Sequence, residues 1–241
     1  MSNCKFIGYL SFGYPDIETS LKRADVYINS GCDILEIDMP TNNPFLDSEF
    51  IGNRMKEAYL KCNDYDIYFE NINKIRNKYP QLKILLLSYE HSIIEYGVEK
   101  FIINCNLNNI EDIILVGNKD DEIKNILIKN NLKISVYIQY HLDEKEIKNA
   151  LNSNGFIYLQ AKCGKKGFKE GFETLEKIIE YLRSIGISNP IYCGVGISTK
   201  EDYKMVSEAG ADASFIGSAL LKKETDQDIE KMIKSWKSYI K

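Results

Sequence analysis

A regular alternation along the chain is the strongest constraint on the fold. Short runs rich in β-branched and aromatic residues alternate with longer stretches in which apolar residues recur at helical spacing. The strand candidates are residues 5–12, 33–40, 83–89, 111–117, 133–140, 155–161, 190–196 and 213–219. Strands that alternate with helices in this way are typical of a parallel sheet.

Capping residues mark several of the predicted helices. Asp16 is placed to cap the first helix, and Gly31 follows its last turn. A later helix begins at Ser198 or Thr199, and Glu201 is placed for a capping box with Ser198. These signals support helices between the strands.

Eight strand–helix units in 241 residues match the roughly 250 residues of a (β/α)₈ TIM barrel. A doubly wound open sheet competes with the barrel, because alternation alone does not show that the sheet closes. No linker, low-complexity segment or shift in composition divides the chain. We therefore expect residues 1–241 to form a single domain.

Composition excludes several classes of protein. Hydrophobic residues make up 44% of the chain and charged residues 27%, and the net charge is −4 with both signs interspersed. These values favour a soluble protein and argue against nucleic acid or a membrane as a partner. The six cysteines form no C-x-x-C pair and no histidine lies beside one, so we expect free thiols, no metal site and a cytoplasmic location.

The segment "DILEIDMPTNNPFLD" carries two acids, Glu36 and Asp38, towards the end of a predicted core strand and a third, Asp47, on the loop that follows. Glu36 and Asp38 lie two residues apart and so share one face of the strand. Buried acids are costly unless they pair with a base or carry protons. Lys162 is the one candidate base at a neighbouring strand end.

Three glycine-bearing segments follow consecutive late strands: "AKCGKKGF", "GVGIS" and "GSAL". Glycine allows backbone N–H groups to approach an anion closely. In barrels, the loops after the seventh and eighth strands frequently bind phosphate. The pattern therefore predicts a phosphate site at the carboxyl ends of these strands.

Taken in order, "YLSFGYPD", "LEIDMPTNNPFLD", "YLQAKCGKKGF", "YCGVGIS" and "FIGSAL" resemble the successive motifs of the tryptophan synthase α subunit family. The resemblance implies a (β/α)₈ barrel that cleaves indole-3-glycerol phosphate to indole and glyceraldehyde 3-phosphate. It implies no metal or organic cofactor in this chain, since pyridoxal phosphate belongs to the partner β subunit.

The resemblance also implies roles for particular residues. The catalytic carboxylates of the family fall on Glu36, which would shuttle a proton, and on Asp47, which would hold the indole N–H. The substrate-binding positions fall on Tyr158, Gly164, Gly194, Gly196, Gly217 and Ser218.

The chain departs from the family pattern at several positions. Asn43 replaces an aspartate of the loop that faces the β subunit, so binding of that subunit is an open question. Asp38 stands where glycine is usual, and the strand-3 motif reads "YEH", which places His91 near the site. "GNKD" at 117–120 replaces Asp-Val-Pro, and the segment before Lys5 leaves no room for the helix that covers the barrel floor in the family.

Two other functions remain compatible with the sequence. A barrel with altered loops could act as a catalytically impaired regulatory partner, although it retains both Glu36 and Asp47. Another phosphate-binding barrel enzyme, such as a sugar-phosphate isomerase or epimerase, is the second alternative.

Overall fold

The computed structural model describes residues 4–117 and 121–240. Its β segments form one parallel sheet: β1 Lys5–Leu10, β2 Ile34–Asp38, β3 Lys83–Tyr89, β4 Asp112–Val116, β5 Lys133–Ile134, β6 Val136–Ile138, β7 Ile157–Gln160, β8 Ile191–Gly194 and β9 Ala213–Ile216. The order in the sheet is β5-β4-β3-β2-β1-β9-β8-β7-β6. Residues 118–120, which belong to the "GNKD" segment that departs from the family pattern, lie outside the described residues.

The sheet closes into a barrel at the fifth predicted strand. β5 and β6 stand at the two ends of the strand order, yet only Ser135 separates them in the chain. The Ser135 N–H donates to the Ile113 carbonyl at 3.0 Å, on the β4 side, and the Val136 N–H donates to the Phe156 carbonyl at 3.1 Å, on the β7 side. The predicted (β/α)₈ barrel is therefore confirmed and the open sheet was wrong.

Helices follow every strand of the barrel. They are α1 Ile17–Asn29, α2 Glu49–Lys61, α3 Tyr65–Lys78, α4 Glu90–Tyr96, α5 Val98–Leu107, α6 Glu122–Lys129, α7 Glu144–Leu151, α8 Leu175–Ser184, α9 Lys200–Glu208, α10 Ser218–Leu221 and α11 Asp226–Tyr239. Asp16 caps α1 as predicted, with its carboxylate 2.7 Å from the Thr19 nitrogen. The predicted role of Glu201 was wrong, because extended Thr199 caps α9 and the reciprocal partner three residues on is Asp202.

Alternation along each strand separates two apolar clusters. The smaller cluster includes Ile7, Tyr9 and Ile34 and fills the barrel, whereas the larger cluster packs the helices against its outside. Tyr9 lies opposite Glu36 in the register of β1 and β2. Since side chains two residues apart share a face, Glu36 and Asp38 project into the barrel with Ile34.

A polar cluster occupies the floor of the barrel. The Lys83 ammonium lies 2.9 Å from the Asp112 carboxylate and 3.3 Å from the Tyr192 hydroxyl, so it connects the amino ends of β3, β4 and β8. The predicted lack of a floor helix concerns the chain before Lys5, of which the structure describes only Cys4, so it stays a prediction.

Closure of the barrel requires a close approach of backbone at Gly155. A Cβ atom there would lie 2.4 Å from the Ile134 carbonyl oxygen, which cannot move without disturbing β5. We expect Gly155→Ala to lower the free energy of unfolding by about 3 kcal/mol, measured in urea, because overpacking against backbone has no easy relief. Asn152→Ala, at an exposed residue nearby, is the control and should cost less than about 1 kcal/mol. Equal losses in the two variants would contradict this account.

Candidate active site

A cavity of about 690 Å³ opens at the carboxyl ends of the strands. Its volume lies within the range of sites for small molecules. The lining comes from nearly all strands and their following loops: Tyr9, Glu36, Leu46, Asp47, Ser48, Ile51, Leu87, Ile114, Leu115, Val116, Gly117, Ser135, Tyr137, Tyr158, Val195, Gly196, Ile197, Phe215, Gly217 and Ser218. Among the predicted site residues, Gly164 and Gly194 are not in this lining.

Glu36 faces the cavity as a buried acid. Its side chain is 3% exposed, and within the described residues no hydrogen bond or ion pair reaches its carboxyl group. Burial raises its pKa well above the usual value, and the nearby charges of Asp38 and Asp47 raise it further. Glu36 is therefore suited to hold a proton near neutral pH.

Asp38 lies on the same strand in a very different environment. Its carboxyl group accepts hydrogen bonds from the Tyr9 hydroxyl at 2.6 Å, the Phe12 N–H at 2.6 Å and the Ser11 hydroxyl at 3.3 Å. Burial raises the pKa of Asp38 to about 7, while the bonds from Tyr9, Phe12 and Ser11 oppose that rise. The surroundings of the two acids of β2 therefore act differently on their pKa values, because hydrogen-bond donors oppose the rise only at Asp38. Environments that move the pKa values of two carboxyl groups apart are typical of acid–base enzymes.

The ion-pair interpretation of the two acids was wrong. Lys162, the candidate base, lies 2.6 Å from the Asp202 carboxylate at the start of α9. Among the described residues, neither Glu36 nor Asp38 forms an ion pair with a lysine or arginine. The charges at the end of β2 are therefore not neutralised by a neighbouring strand.

Asp47 reaches the same cavity from the loop after β2. The Tyr89 hydroxyl donates to its carboxylate at 2.6 Å and accepts a hydrogen bond from the Leu46 N–H at 3.1 Å. Burial raises the pKa of Asp47, and the bond from Tyr89 partly offsets this. A fully buried tyrosine at the end of β3 thus fixes the loop that carries this carboxylate.

Aromatic rings form one wall of the cavity. Tyr158 stacks on Phe215 with ring centroids 4.2 Å apart and planes at 14°, and Tyr137 meets Tyr158 edge-on at 5.6 Å. Flat apolar surfaces of this kind suit a planar aromatic group. Tyr158, predicted to border the substrate, lies at the centre of this wall.

Gly196, Gly217 and Ser218 line the cavity at the ends of β8 and β9, next to the strands that carry Tyr158 and Phe215. Val195 and Gly196 have φ angles of 67° and 89°, so the turn after β8 exposes its backbone towards the cavity mouth. Gly217 precedes α10, whose first residue is Ser218. Backbone N–H groups and a hydroxyl are thus available here for an anion.

Gly194 and Gly164 do not line the cavity. A Cβ atom at Gly194 would fall 2.6 Å from the Tyr158 ring, so the absence of a side chain makes room for that ring. Gly164 is exposed, and a Cβ atom there would lie 2.9 Å from the Gln160 amide nitrogen.

His91, placed near the site by the sequence, is not among the residues that line the cavity. Its Nε2 lies 2.6 Å from the Thr41 hydroxyl, and its ring contacts those of Tyr89 and Phe45. It therefore supports the loop before Asp47 rather than facing the cavity.

Sequence reasoning missed four aromatic residues of the site: Tyr9, Tyr89, Tyr137 and Phe215. Strand alternation was a usable signal for Tyr9, because it lies level with Glu36 on the inward face. Tyr89 is the last residue of β3 and the first of the "YEH" motif, of which only His91 was predicted to lie near the site.

The described residues contain no group of three or more His, Cys, Asp and Glu side chains arranged to hold a metal ion. In the same part of the chain, no helix is both long and apolar enough to cross a membrane. All six cysteines are free, as predicted.

The fold and the cavity define a class of protein: a (β/α)₈ barrel enzyme with the carboxyl groups of Glu36 and Asp47 in a cavity at the carboxyl ends of its strands. The model of the tryptophan synthase alpha chain family matches residues 1–240. The chain belongs to this family, and so is a carbon–carbon lyase of tryptophan biosynthesis that cleaves indole-3-glycerol phosphate by a retro-aldol reaction.

Individual relatives agree with the family assignment. The tryptophan synthase alpha chain of Buchnera aphidicola subsp. Schlechtendalia chinensis is 29% identical over 96% of this chain and 88% of its own length. That of Arabidopsis thaliana is 30% identical over 90% of this chain and 80% of its own. The solved structure of the Campylobacter jejuni alpha subunit superposes with a TM-score of 0.80 at 27% identity, covering 97% of this chain and 95% of that one.

The raised pKa of Glu36 predicts how stability changes with pH. From the ordinary pKa of a glutamate up to the raised pKa of Glu36, the folded protein keeps a proton on Glu36 that the unfolded chain releases. The free energy of unfolding of the wild type should therefore fall, relative to Glu36→Gln, as the pH rises above the ordinary glutamate pKa, with a slope of at most about 1.4 kcal/mol per pH unit. Urea unfolding of both proteins at several pH values measures this slope.

Glu57→Gln, at an exposed residue of α2, is the matched control. Its stability should follow the wild type across the same pH range. If the free energy of unfolding of Glu36→Gln has the same pH dependence as that of the wild type, the pKa of Glu36 in the folded protein is not raised.

Proposed function

We propose that Glu36 and Asp47 carry out the cleavage of indole-3-glycerol phosphate in this chain. The observation that carries the proposal is that both carboxyl groups face one cavity, with Glu36 buried beyond the reach of any hydrogen-bond donor among the described residues. The reaction needs a group that first gives and then takes a proton. A buried acid with a raised pKa fits this requirement.

In the proposed reaction, Glu36 transfers a proton twice. Protonated Glu36 donates its proton to indole C3, which leaves positive charge on the ring nitrogen. Asp47, as a carboxylate, accepts a hydrogen bond from the ring N–H and stabilises that charge. The Glu36 carboxylate then takes the proton of the glycerol hydroxyl, the carbon–carbon bond breaks, and its electron pair returns to the ring to give indole and an aldehyde.

The remaining predicted residues would position the substrate. The indole ring would lie against Tyr158 and its stacked neighbour Phe215. The phosphate would bind at Gly196, Gly217 and Ser218, in the turns that line the cavity after β8 and β9. Gly194 would act indirectly by leaving space for Tyr158, and we keep Gly164 as a proposed contact from the loop after β7.

We further propose that residues 1–241 form one domain that works in the cytoplasm without a cofactor of its own. Its partner would be a tryptophan synthase β subunit, which holds pyridoxal phosphate. The loop at the cavity mouth is the proposed docking surface, because Phe45 and Leu46 are 55% and 65% exposed there and Asn43 lies beside them. Aromatic side chains such as Phe45 are enriched at protein–protein interfaces.

Assays of indole release from indole-3-glycerol phosphate test the catalytic proposal. Glu36→Gln should lower kcat by about 10²–10⁴-fold, because it removes the proton carrier. Asp47→Asn should lower kcat by about 10²–10³-fold through loss of charge stabilisation. Glu57→Gln is again the control and should turn over at the wild-type rate.

No indole release by the folded wild type, alone or with a β subunit, would favour the regulatory barrel instead. Turnover by Glu36→Gln at the wild-type rate would show that another group carries the proton.

Binding of a β subunit tests the docking surface. Phe45→Ser should weaken binding of a tryptophan synthase β subunit about tenfold or more in titration calorimetry, because an exposed apolar anchor is lost. Leu107→Ser, at a residue of α5 that is 68% exposed, should bind as the wild type does. Equal affinities for the wild type and both variants would place the interface elsewhere.

A further inference from the structure

Asp38 is a buried carboxyl group at the end of β2 for which the proposed mechanism has no use. It stands two residues beyond Glu36 and is 1% exposed. The family pattern has glycine at this position, so the resemblance offers no role for it. Its contacts give the first indication of one.

The donors around Asp38 favour the ionised form. The Phe12 backbone N–H can only donate, and it does so to Oδ1 at 2.6 Å. The hydroxyls of Tyr9 and Ser11 both point at Oδ2, at 2.6 and 3.3 Å. Three donors on one carboxyl group stabilise its anion, whereas Glu36 has no such donor among the described residues.

Tyr9 connects Asp38 to the cavity. Its ring lies level with Glu36 in the sheet and lines the cavity, while its hydroxyl turns towards Asp38. Ser11 and Phe12 begin the loop after β1. One carboxylate on β2 therefore fixes both a wall of the cavity beside Glu36 and the adjoining loop of β1.

The groups that face these two acids come from four neighbouring parts of the barrel. Glu36 faces Asp38 on its own strand, Asp47 on the following loop, Tyr9 on β1 and Tyr158 on β7. Asp38 faces Tyr9, Ser11, Asp47 and, from α3, Tyr68. Every other ionisable group in this set is an acid, so a charge on Asp38 acts on Glu36 without a cation to offset it.

We propose that Asp38 is a positioning residue for the reaction at Glu36: its carboxylate holds Tyr9 and the loop after β1 in place, and its negative charge keeps the proton on Glu36. The inference rests on the proposed role of Glu36 as proton donor. Asp38 itself gives no proton to the substrate. Its charge makes ionisation of Glu36 less favourable, so Glu36 remains protonated until the substrate binds.

The size of the effect follows from the spacing of the two acids. Residues two apart on a strand are about 6.6 Å from each other. Two unit charges at that distance, in an effective dielectric of about 20, change a pKa by about 1–2 units. Removal of the Asp38 charge should therefore lower the pKa of Glu36 by about that amount.

The test is Asp38→Asn, in full-length protein labelled with ¹³C at the glutamate carboxyl groups. The Glu36 signal, assigned by its absence in Glu36→Gln, should titrate about 1–2 pH units lower in Asp38→Asn than in the wild type. The basic limb of the kcat profile for indole release should move down by the same amount, because Glu36 must be protonated to act. A purely structural role for Asp38 would move neither.

Asp33→Asn is the matched control. Asp33 also bonds a backbone N–H of β1, that of Phe6 at 2.8 Å, but it precedes β2 at the opposite end of the barrel and pairs with Lys237. This variant loses one carboxylate clamp between the same strands, yet the Glu36 titration should stay at the wild-type value. An equal shift in both variants, or no shift in Asp38→Asn, would overturn the proposal.

The wild type alone supplies a second measurement if Asp38→Asn does not fold. With aspartate carboxyl groups labelled as well, Asp38 should ionise at a lower pH than Glu36. Ionisation of Glu36 first would refute the proposal. These titrations do not depend on turnover, so activity that persists in Glu36→Gln would refute the proposed function while leaving the inference about Asp38 to be judged separately.

Discussion

Closure of the parallel sheet is the constraint on which the rest of this structure depends. The strand that ends at Ile134 exchanges hydrogen-bond partners across Ser135, so that the sheet closes around a buried interior. Inward side chains must then be apolar, paired or functional. The acids at the end of β2 face that interior, and closure is what turns two adjacent carboxyl groups into groups with altered proton affinity.

Burial raises the pKa of all three carboxyl groups, and hydrogen bonding then makes their pKa values differ. Glu36 meets no donor among the described residues, Asp38 meets three, and Asp47 meets the hydroxyl of Tyr89. A proton carrier and a charge stabiliser need opposite protonation states within one cavity. Under the proposed mechanism, the donors that neighbouring strands bring to each acid would set these two states.

Much of the fold was predictable because strand and helix periods are local properties of the sequence. All the strand candidates occur in the structure, and the alternation within "LEID" correctly placed Glu36 and Asp38 on one face. The position of strand ends relative to the cavity followed from the barrel rule.

Contacts between distant segments were not predictable in this way. The bond from Tyr89 to Asp47 joins residues 42 apart in the chain, and the pairing of Lys162 with Asp202 depends on how the loops after β7 and β8 approach each other. The capping box of α9 uses Asp202 rather than Glu201 because the cap is Thr199 and not Ser198, a difference of one residue in where the helix begins. Such details depend on three-dimensional packing, which no periodicity in the sequence encodes.

The ring of Tyr158 occupies the space where a side chain at residue 194 would stand. These two positions, on adjacent strands, therefore share one volume. A larger residue at 194 is compatible only with a smaller one at 158, which would remove half of the stacked aromatic wall. Substitutions at the two sites should thus be tolerated in pairs rather than singly, so that the two residues together determine the shape of the aromatic wall of the cavity.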